Sequence, residues 1–431
     1  MQPPDDPIFA SDETSDRPSG ARSTVILVGA SIRAAAESAF RGGFDVLGID
    51  QFGDRETIQA CRRFWSLPSC ENDTRNLMMA LRKSASESRL PPATKTKLPK
   101  CIVVGGLNLG TGDRSGLIDQ LDRWVPVVGA KPILVPASGL QEASQLAKIA
   151  ANAGATFPAV CHDGVRLDEK PGRWLIKDLR SSGGLSVRWL TESAPFSTNG
   201  LSANGTIAQQ WKAGRSYGAT FVADGGRAEL LGVCRSLFTR IDPYPFVYAG
   251  SFGPVDLTET QTCCIDRIGQ AFVQETKAAG LFNVDVIIDG ADVWLLEINR
   301  RWSGSSELIE RSLQDQGSLG ECGGSLFRLM IKRMQQCDQQ KAIIAGRADD
   351  SEHQYYKRIV FARQAGHLKV DRILTVGAQS QGIEIKDTPN CEAQAIRKGE
   401  PIATLIVRAD KSGAWTRKIK RLVAQVQQAV E

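Results

Sequence analysis

A short apolar run from Val25 to Val28 opens the regular pattern of the chain and ends in Gly29-Ala30-Ser31. A helical periodicity follows, stops at Gly42-Gly43, and gives way to a second apolar run that ends at Asp50. A strand, a helix and a second strand in this order predict two parallel strands joined by a right-handed crossover.

Two further apolar runs, at 100–106 and 131–138, follow the same order of strand and turn. We therefore expect residues 23–140 to form a Rossmann-like, doubly wound α/β domain. Its first turn, GASIRA, lacks the G-x-G-x-x-G spacing of dinucleotide sites, and a tight strand-to-helix turn accounts for Gly29. Residues 1–22 are acidic, rich in Pro and Ser and without the apolar core of a signal peptide, so they predict a disordered tail.

The pattern changes from about residue 171, where two short strands are expected on either side of a polar loop, Ser181–Gly184. The following apolar segments predict antiparallel strands with turns at Ala213-Gly214 and Asp224-Gly225-Gly226. A helical pattern at 258–280, closed by Gly280, precedes a hairpin. Antiparallel strands combined with helices predict an α+β part behind the α/β part.

Helical periodicity returns at 307–337, and residues 357–431 alternate short strands with Pro and Gly turns before a terminal helix. The 431 residues exceed one ordinary core and suggest two or three domains. The expected fold class is therefore a multidomain combination of α/β and α+β.

The hairpin NVDVIIDGADVWLLEIN carries the most informative polar pattern. If Gly290-Ala291-Asp292 form a three-residue loop, Asp285 lies directly opposite Glu297, and strand alternation adds Asn299 and Arg301 to the same face. Two facing carboxylates repel each other and raise one pKa unless a cation lies between them. Together with the amide they offer the oxygen ligands that Mg²⁺ prefers, and Arg301 would balance anionic substrate groups or a developing phosphoryl charge.

The same residues have a plainer interpretation. An acid and an amide at a strand end can simply meet solvent, and Arg301 can form a surface ion pair. Because four polar residues share one face and a Gly-rich segment lies upstream, we favour the metal site.

That upstream segment begins with Lys177, which ends the strand RWLIK just before Ser181-Ser182-Gly183-Gly184. A Gly/Ser loop lets backbone N–H groups approach phosphate, and a nearby lysine adds a compact positive charge. By itself SSGG also fits an ordinary hairpin tip.

Composition narrows the function classes. The net charge of +5 is small, and the basic run at 416–421 fits the solvated face of a helix, so we expect no nucleic-acid partner. No apolar stretch of about 18 residues appears, so no membrane span is expected. The ten cysteines contain no C-x-x-C pair, which favours reduced thiols in a cytoplasmic protein, and the three histidines match no zinc pattern. No Ser-His-Asp or Cys-His set is visible.

The order of these motifs over 23–315 resembles the ATP-grasp superfamily, and the D-x11-E-x-N-x-R hairpin is its most specific element. The resemblance implies a Rossmann-like pre-ATP-grasp domain at 23–140, an ATP-grasp domain at 141–330 with a lid at about 155–215, and a small β-rich C-terminal α/β segment at 331–431 that completes the ATP-grasp region.

The resemblance also implies roles for single residues. Lys177 with Ser182, Gly183 and Gly184 would hold the phosphates of ATP, and the backbone at Gln210 and Trp211 would meet the adenine edge. Asp285, Glu297 and Asn299 would bind Mg²⁺, with Mn²⁺ as a possible substitute, while Lys177 and Arg301 would act in catalysis. Two positions depart from the usual pattern: Asp178 replaces the proline that commonly follows the lysine, and Ser216 replaces an acid that commonly meets the ribose.

Within the superfamily, the segments ILVGASIRAAAESAFRGGFDVLGIDQFGD and CEAQAIRKGEPIATLIVRA resemble a carboligase-like group associated with tetrahydromethanopterin-linked C1 metabolism. This likeness implies a ligase that joins a small-molecule carboxylate to an amine during biosynthesis of a tetrahydromethanopterin or methanofuran type of coenzyme, in a possible homodimer. Two alternatives stay open. One is bicarbonate activation of the biotin-carboxylase kind, although no M-K-M motif is present, and the other is a non-catalytic ATP-binding scaffold.

Overall fold

The computed structural model describes ten stretches of the chain: 22–66, 79, 100–104, 139–161, 172–178, 181–190, 206–335, 354–391, 394–410 and 413–431. The predicted tail, apart from residue 22, and the predicted strand at 131–138 lie outside these stretches.

A parallel sheet forms the N-terminal part, with helix α1 (Arg33–Arg41) between its first two strands and α2 (Arg55–Ala60) after the second. Its strands, in the spatial order β3-β2-β1-β4, are β1 (Ser23–Gly29), β2 (Phe44–Asp50), β3 (Arg63–Ser66) and β4 (Lys100–Val103). The apolar run of β1 is buried because β1 is a central strand covered on both faces. The predicted strand–helix–strand unit is therefore confirmed, and α1 ends before Gly42 as expected.

An eight-stranded antiparallel sheet forms the centre of the molecule. Its strands, in the spatial order β13-β12-β9-β10-β11-β14-β18-β16, are β9 (Arg215–Asp224), β10 (Ala228–Ile241), β11 (Tyr244–Gly253), β12 (Ala279–Asp289), β13 (Asp292–Asn299), β14 (Tyr355–Phe361), β16 (Ile383–Lys386) and β18 (Pro401–Arg408). Strands from the C-terminal stretch thus continue the same sheet as β9–β13.

Two helices, α3 (Gly139–Ala153) and α4 (Glu259–Thr276), pack on one face of this sheet. A capping box between Thr258 and Gln261 starts α4. The helix ends at Lys277, which adopts the left-handed conformation with φ 53°, so the predicted end at Gly280 is wrong. Gly280 lies inside β12 instead.

The opposite face of the sheet is partly covered by α1 together with two helices that follow the hairpin, α5 (Ser306–Asp315) and α6 (Leu326–Gln335), with a 3₁₀ turn between them. A glycine-rich segment, 317–324, interrupts the predicted helical stretch and divides it into these two helices. The uncovered part of this face carries the polar residues of β12 and β13.

A smaller antiparallel sheet holds the loop that follows Lys177. Its strands, in the spatial order β5-β8-β6-β7, are β5 (Val160–Cys161), β6 (Trp174–Asp178), β7 (Arg188–Trp189) and β8 (Thr206–Gln210). The predicted pairing of two strands around the loop is confirmed by β6 and β7. The predicted turn at Ala213-Gly214 is wrong as a hairpin, because β8 and β9 belong to different sheets and this segment connects them.

The C-terminal stretch adds a two-stranded ribbon, β15 (Gly366–Leu368) with β17 (Gln394–Ile396), and the helices α7 (Val370–Ala378) and α8 (Ala414–Gln427). The predicted combination of a parallel α/β part with an antiparallel α+β part is confirmed. Within the described stretches, no helix is long and apolar enough to cross a membrane. Seven cysteines have free thiols: Cys61, Cys161, Cys234, Cys263, Cys264, Cys322 and Cys391.

Candidate active site

A β-bulge brings Asp285 and Glu297 opposite each other. The β12–β13 turn contains only Gly290 and Ala291, so the predicted three-residue loop is wrong. Instead, Leu296 is an extra residue between the pairs Val286–Leu295 and Asp285–Glu297. Such a bulge shifts the alternation of side chains by one, so that Leu295 packs in the core while Glu297 joins Asp285 on the other face.

Asn299 connects the two carboxylates. Its Nδ2 donates to Oδ2 of Asp285 and to Oε1 of Glu297, both at 2.8 Å. The structure thus brings together the three residues predicted to hold a metal, all as oxygen-bearing side chains of one hairpin.

The pKa values of the two acids are shifted in opposite directions. Burial and the charge of Glu297 raise the pKa of Asp285 well above its ordinary value. Burial also acts to raise the pKa of Glu297, but the positive charge of Lys177 and the hydrogen bond from Asn299 outweigh it and lower that pKa. Such a pair favours a cation or a shared proton between its oxygens.

Two cations flank the carboxylates. Lys177 donates from Nζ to Oε1 of Gln209 at 2.5 Å, and burial lowers its pKa against the opposing influence of Glu297 and Asp285. Burial also lowers the pKa of Arg301, although the same two acids oppose the shift. Among the described residues, no carboxylate lies within ion-pair distance of the Arg301 guanidinium, which is therefore available to an anionic group.

The Gly-rich loop lies over β11. Gly183 and Gly184 adopt positive φ values of 67° and 77°, and the carbonyl of Gly183 accepts a hydrogen bond from Tyr248 N at 2.9 Å. A Cβ added to Gly184 would lie 2.0 Å from the carbonyl oxygen of Phe246, so only glycine allows this approach. The N–H groups of both glycines have no acceptor in the described part of the chain and can bind an anion.

The predicted adenine contacts lie at the end of β8. The N–H of Gln210 donates to Ala159 O and that of Trp211 to Arg173 O, both at 2.8 Å. Both donors therefore already have acceptors, and the contact of this backbone with an adenine stays a prediction. The guanidinium of Arg173 lies over the indoles of Trp211 and Trp189, at 5.0 and 3.8 Å from the ring centroids.

Ser216 lies on β9 opposite Ile287, two positions from Gly218, which pairs with Asp285. The serine therefore shares the face of the carboxylates. Its contact with a ribose stays a prediction.

One residue of the site, Asn283, was missed by the sequence reasoning. It pairs with Asn299 in the β12–β13 register and donates from Nδ2 to Oδ1 of Asp285 at 2.6 Å. Its position two residues before Asp285 on the same strand is the signal that could have revealed it.

A serine cluster, defined here as Ser303, Ser305 and Ser306, follows Arg301. The hydroxyl of Ser303 lies 2.9 Å from that of Ser305 and 3.0 Å from that of Ser306. Ser305 is the N-cap of α5 but makes no side-chain cap, whereas Ser306 Oγ accepts from Ser303 N at 3.1 Å. The cluster therefore organises the turn that joins the hairpin to α5.

The N-terminus of α1 is filled by an internal carboxylate. Asp50 accepts hydrogen bonds from the backbone N–H groups of Ile32, Phe52 and Gly53, each at 2.7 Å, and burial raises its pKa to about 6. In dinucleotide-binding folds a phosphate takes the equivalent place.

Behind the site, buried ion pairs fix α5. Arg33 of α1 makes two hydrogen bonds to Glu307, at 2.5 and 2.9 Å, and two to Asp387, at 2.7 and 3.5 Å. Lys357 of β14 donates to Glu307 at 2.8 Å and lies 3.4 Å from the carbonyl oxygen of Gly304. Three distant parts of the chain therefore meet behind the serine cluster.

Comparison with known proteins identifies this architecture. Residues 144–305 match the family model described as an ATP-grasp domain. No curated protein matches the chain significantly.

Solved structures are similar over almost the full length. An N5-carboxyaminoimidazole synthase from Aspergillus clavatus, in complex with ADP and 5-aminoimidazole ribonucleotide, has a TM-score of 0.64 at 12% identity, covering 95% of this chain and 99% of that one. An L-amino acid ligase from Bacillus licheniformis has a TM-score of 0.62 at 12% identity, with 95% and 98% covered. An N5-carboxyaminoimidazole ribonucleotide synthetase from Thermus thermophilus has a TM-score of 0.60 at 13% identity, with 94% and 98% covered. The chain has the ATP-grasp fold, as the motif order predicted.

Proposed function

We propose that this protein is an ATP-grasp ligase that activates a substrate carboxylate with ATP and Mg²⁺ for attack by an amine. The observation that carries the proposal is the opposed pair of Asp285 and Glu297 around Asn299, flanked by Lys177 and Arg301. The family match and the fold support it, and one of the similar structures holds ADP.

The donor set fits Mg²⁺. Asp285 and Glu297 contribute carboxylate oxygens, and rotation of the Asn299 amide would add its Oδ1. The N–H group of Asn299 now balances the two acids, a role that a cation performs more strongly. When bound, Mg²⁺ would neutralise phosphate charge, and Mn²⁺ prefers the same oxygen ligands.

The remaining residues would bind ATP and the transferring group. Lys177 and the N–H groups of Gly183 and Gly184 would hold phosphate oxygens, Trp211 would meet the adenine, and Ser216 would face the ribose. Arg301 would stabilise the charge that spreads over the phosphoryl group during transfer.

The chemistry then needs positioning rather than a side-chain nucleophile. An oxygen of the substrate carboxylate bonds to the γ-phosphorus as the bond to ADP breaks, which gives an acyl phosphate. The amine nitrogen attacks the acyl carbon, loses a proton, and phosphate leaves. A closed lid would exclude water from the acyl phosphate.

We place the substrates among the acids and amines of C1-carrier coenzyme biosynthesis, of the tetrahydromethanopterin or methanofuran type. Two sequence segments support this finer assignment by their resemblance to the carboligase-like group, one beginning with ILVGAS near the start of the chain and one ending with IVRA near its end. A similar structure named L-amino acid ligase supports the broader pairing of a carboxylate with an amine.

The test is ADP release from ATP with panels of acids, amines and bicarbonate. We expect release only when an acid and an amine are both present. Release that needs bicarbonate in place of the acid would favour the alternative suggested by the N5-carboxyaminoimidazole synthase likeness. ATP binding without release under any combination would favour a scaffold and contradict the proposal.

A further inference from the structure

Asn283 is a buried polar side chain next to the two carboxylates, with 2% of its surface exposed. Its Nδ2 donates to Oδ1 of Asp285 at 2.6 Å. Its Oδ1 lies near three hydroxyls, those of Ser303 at 3.2 Å, Ser305 at 3.3 Å and Thr220 at 3.5 Å.

These partners fix the orientation of the amide. Hydroxyls can donate to its oxygen, whereas a carboxylate can only accept from its nitrogen, so a flipped amide would face an acceptor with an acceptor. Asn299 differs, because its described side-chain contacts are the two carboxylates alone. Asn299 can therefore rotate while Asn283 stays in place.

The fixed amide of Asn283 gives the two oxygens of Asp285 different partners. Oδ1 is held by Asn283, and Oδ2 faces Asn299 and the side of Glu297. The glycine opposite leaves room for this arrangement, since a Cβ at Gly218 would lie 3.2 Å from Asn283 Nδ2 and 3.3 Å from Asp285 Oδ1.

We propose that Asn283 is a positioning residue that clamps Asp285 to the serine cluster, so that Oδ2 is the oxygen presented to the divalent cation. The inference rests on the proposed metal site. It assigns the serine cluster a structural task at the metal centre, in addition to shaping the turn before α5.

Asn283→Ala tests the clamp through Mn²⁺ binding in the presence of ATP, measured from the free Mn²⁺ signal in electron paramagnetic resonance. We expect Mn²⁺ affinity to fall roughly 10- to 100-fold, the range for lost partners of metal ligands. Ser303→Ala should cause a smaller loss, and the double variant should bind no more weakly than Asn283→Ala alone, because Ser303 acts through Asn283.

Two controls separate the clamp from general effects. Ser312→Ala removes a buried hydroxyl of α5 that has no partner among the described residues, and it should leave Mn²⁺ affinity unchanged. ATP affinity without metal should also stay the same in Asn283→Ala. Unchanged Mn²⁺ affinity in a folded Asn283→Ala variant would overturn the inference.

If Asn283→Ala does not fold, a Ser303→Ala/Ser305→Ala double variant is measured instead. Unchanged Mn²⁺ affinity in that variant would equally overturn the inference. The proposed function fails separately. Absence of Mn²⁺ binding by the unmodified protein, or full binding by Glu297→Gln, would remove the metal site itself.

Discussion

Asp285 and Glu297 oppose each other across two antiparallel strands, and a single amide nitrogen on Asn299 donates to both at 2.8 Å. The pKa of Asp285 is raised and that of Glu297 is lowered, because burial dominates at the first and the charge of Lys177 acts on the second. The pair thus favours a cation between its carboxylate oxygens.

Deleting one leucine of the pair Leu295-Leu296 tests the bulge. The remaining leucine takes the core position and Glu297 stays on the face of Asp285, so we expect Mg²⁺-dependent ADP release to be retained. Deleting both leucines places Glu297 directly after Trp294, on the core face, where an unpaired carboxylate costs several kcal/mol. We expect the double deletion to lower the melting temperature and to reduce ADP release by roughly 100-fold or more; equal damage from both deletions would contradict the role of the bulge.

The register of this hairpin shows how far sequence reasoning reaches. The sequence predicts the opposition of Asp285 and Glu297 from the twelve positions that separate them and from a three-residue loop at Gly290-Ala291-Asp292. The predicted loop length was wrong, although the pairing was right, because a three-residue loop and a two-residue turn with a bulge give the same pairing. Local patterns do not distinguish them, because the choice depends on the packing of Leu295 against the core.

The pattern of the sequence does not predict contacts between distant segments. Arg33 and Glu307 lie 274 positions apart, and only the folded chain shows that they pair. The strands β8 and β9 look like a hairpin in sequence, yet they join different sheets because the small sheet captures β8. The motif order was sufficient to predict the ATP-grasp fold, whereas the roles of the site residues stay predictions.

The paired glycines of the loop offer a matched comparison. Gly184→Ala should weaken ATP binding about tenfold or more, because its Cβ would meet the carbonyl oxygen of Phe246 at 2.0 Å and displace the loop. Gly183→Ala meets nothing within 4 Å and carries only the backbone cost of its φ of 67°, roughly 1 to 2 kcal/mol. Calorimetric ATP binding should rank the variants in this order, and the reverse order would contradict the packing of the loop.

Lys177→Met should weaken ATP binding and change its pH dependence. Burial lowers the pKa of Lys177, so its charge is lost at a lower pH than for an exposed lysine, whose pKa is about 10.4. ATP affinity of the unmodified protein should therefore decline on the alkaline side before that pH, while Lys177→Met shows no such decline. Lys148→Met, on the exposed side of α3, is the control, and unchanged ATP affinity in Lys177→Met would refute the phosphate role.

Arg33→Ala should destabilise the fold by about 3 to 5 kcal/mol, because it leaves the buried acids Glu307 and Asp387 without their main partner. Arg240→Ala is the contrasting control. It breaks a pair with Asp242 whose side chains are 76% and 77% exposed, so chemical denaturation should show little change. Similar losses in both variants would contradict the importance of burial here.

The same ion pairs predict that the folded protein loses stability at acid pH. Arg33 and Lys357 overcome the effect of burial and hold the pKa of Glu307 well below its ordinary value. A depressed pKa stabilises the fold above the unfolded value, about 4.3, and this contribution is lost as the pH falls below it. Denaturation of the unmodified protein between about pH 5 and pH 2 should show this loss, and Glu307→Gln should show a smaller slope.

The most direct test of the central claim is Mg²⁺-dependent ADP release by Glu297→Gln, with Asp289→Asn as a control on the exposed end of the same hairpin. An amide at position 297 keeps the size of the side chain but removes the charge that the metal site needs. We expect Glu297→Gln to stay folded and to lose ADP release roughly 100-fold or more, while Asp289→Asn retains it. Turnover by Glu297→Gln equal to that of the unmodified protein would contradict the assignment of this carboxylate pair as the metal centre.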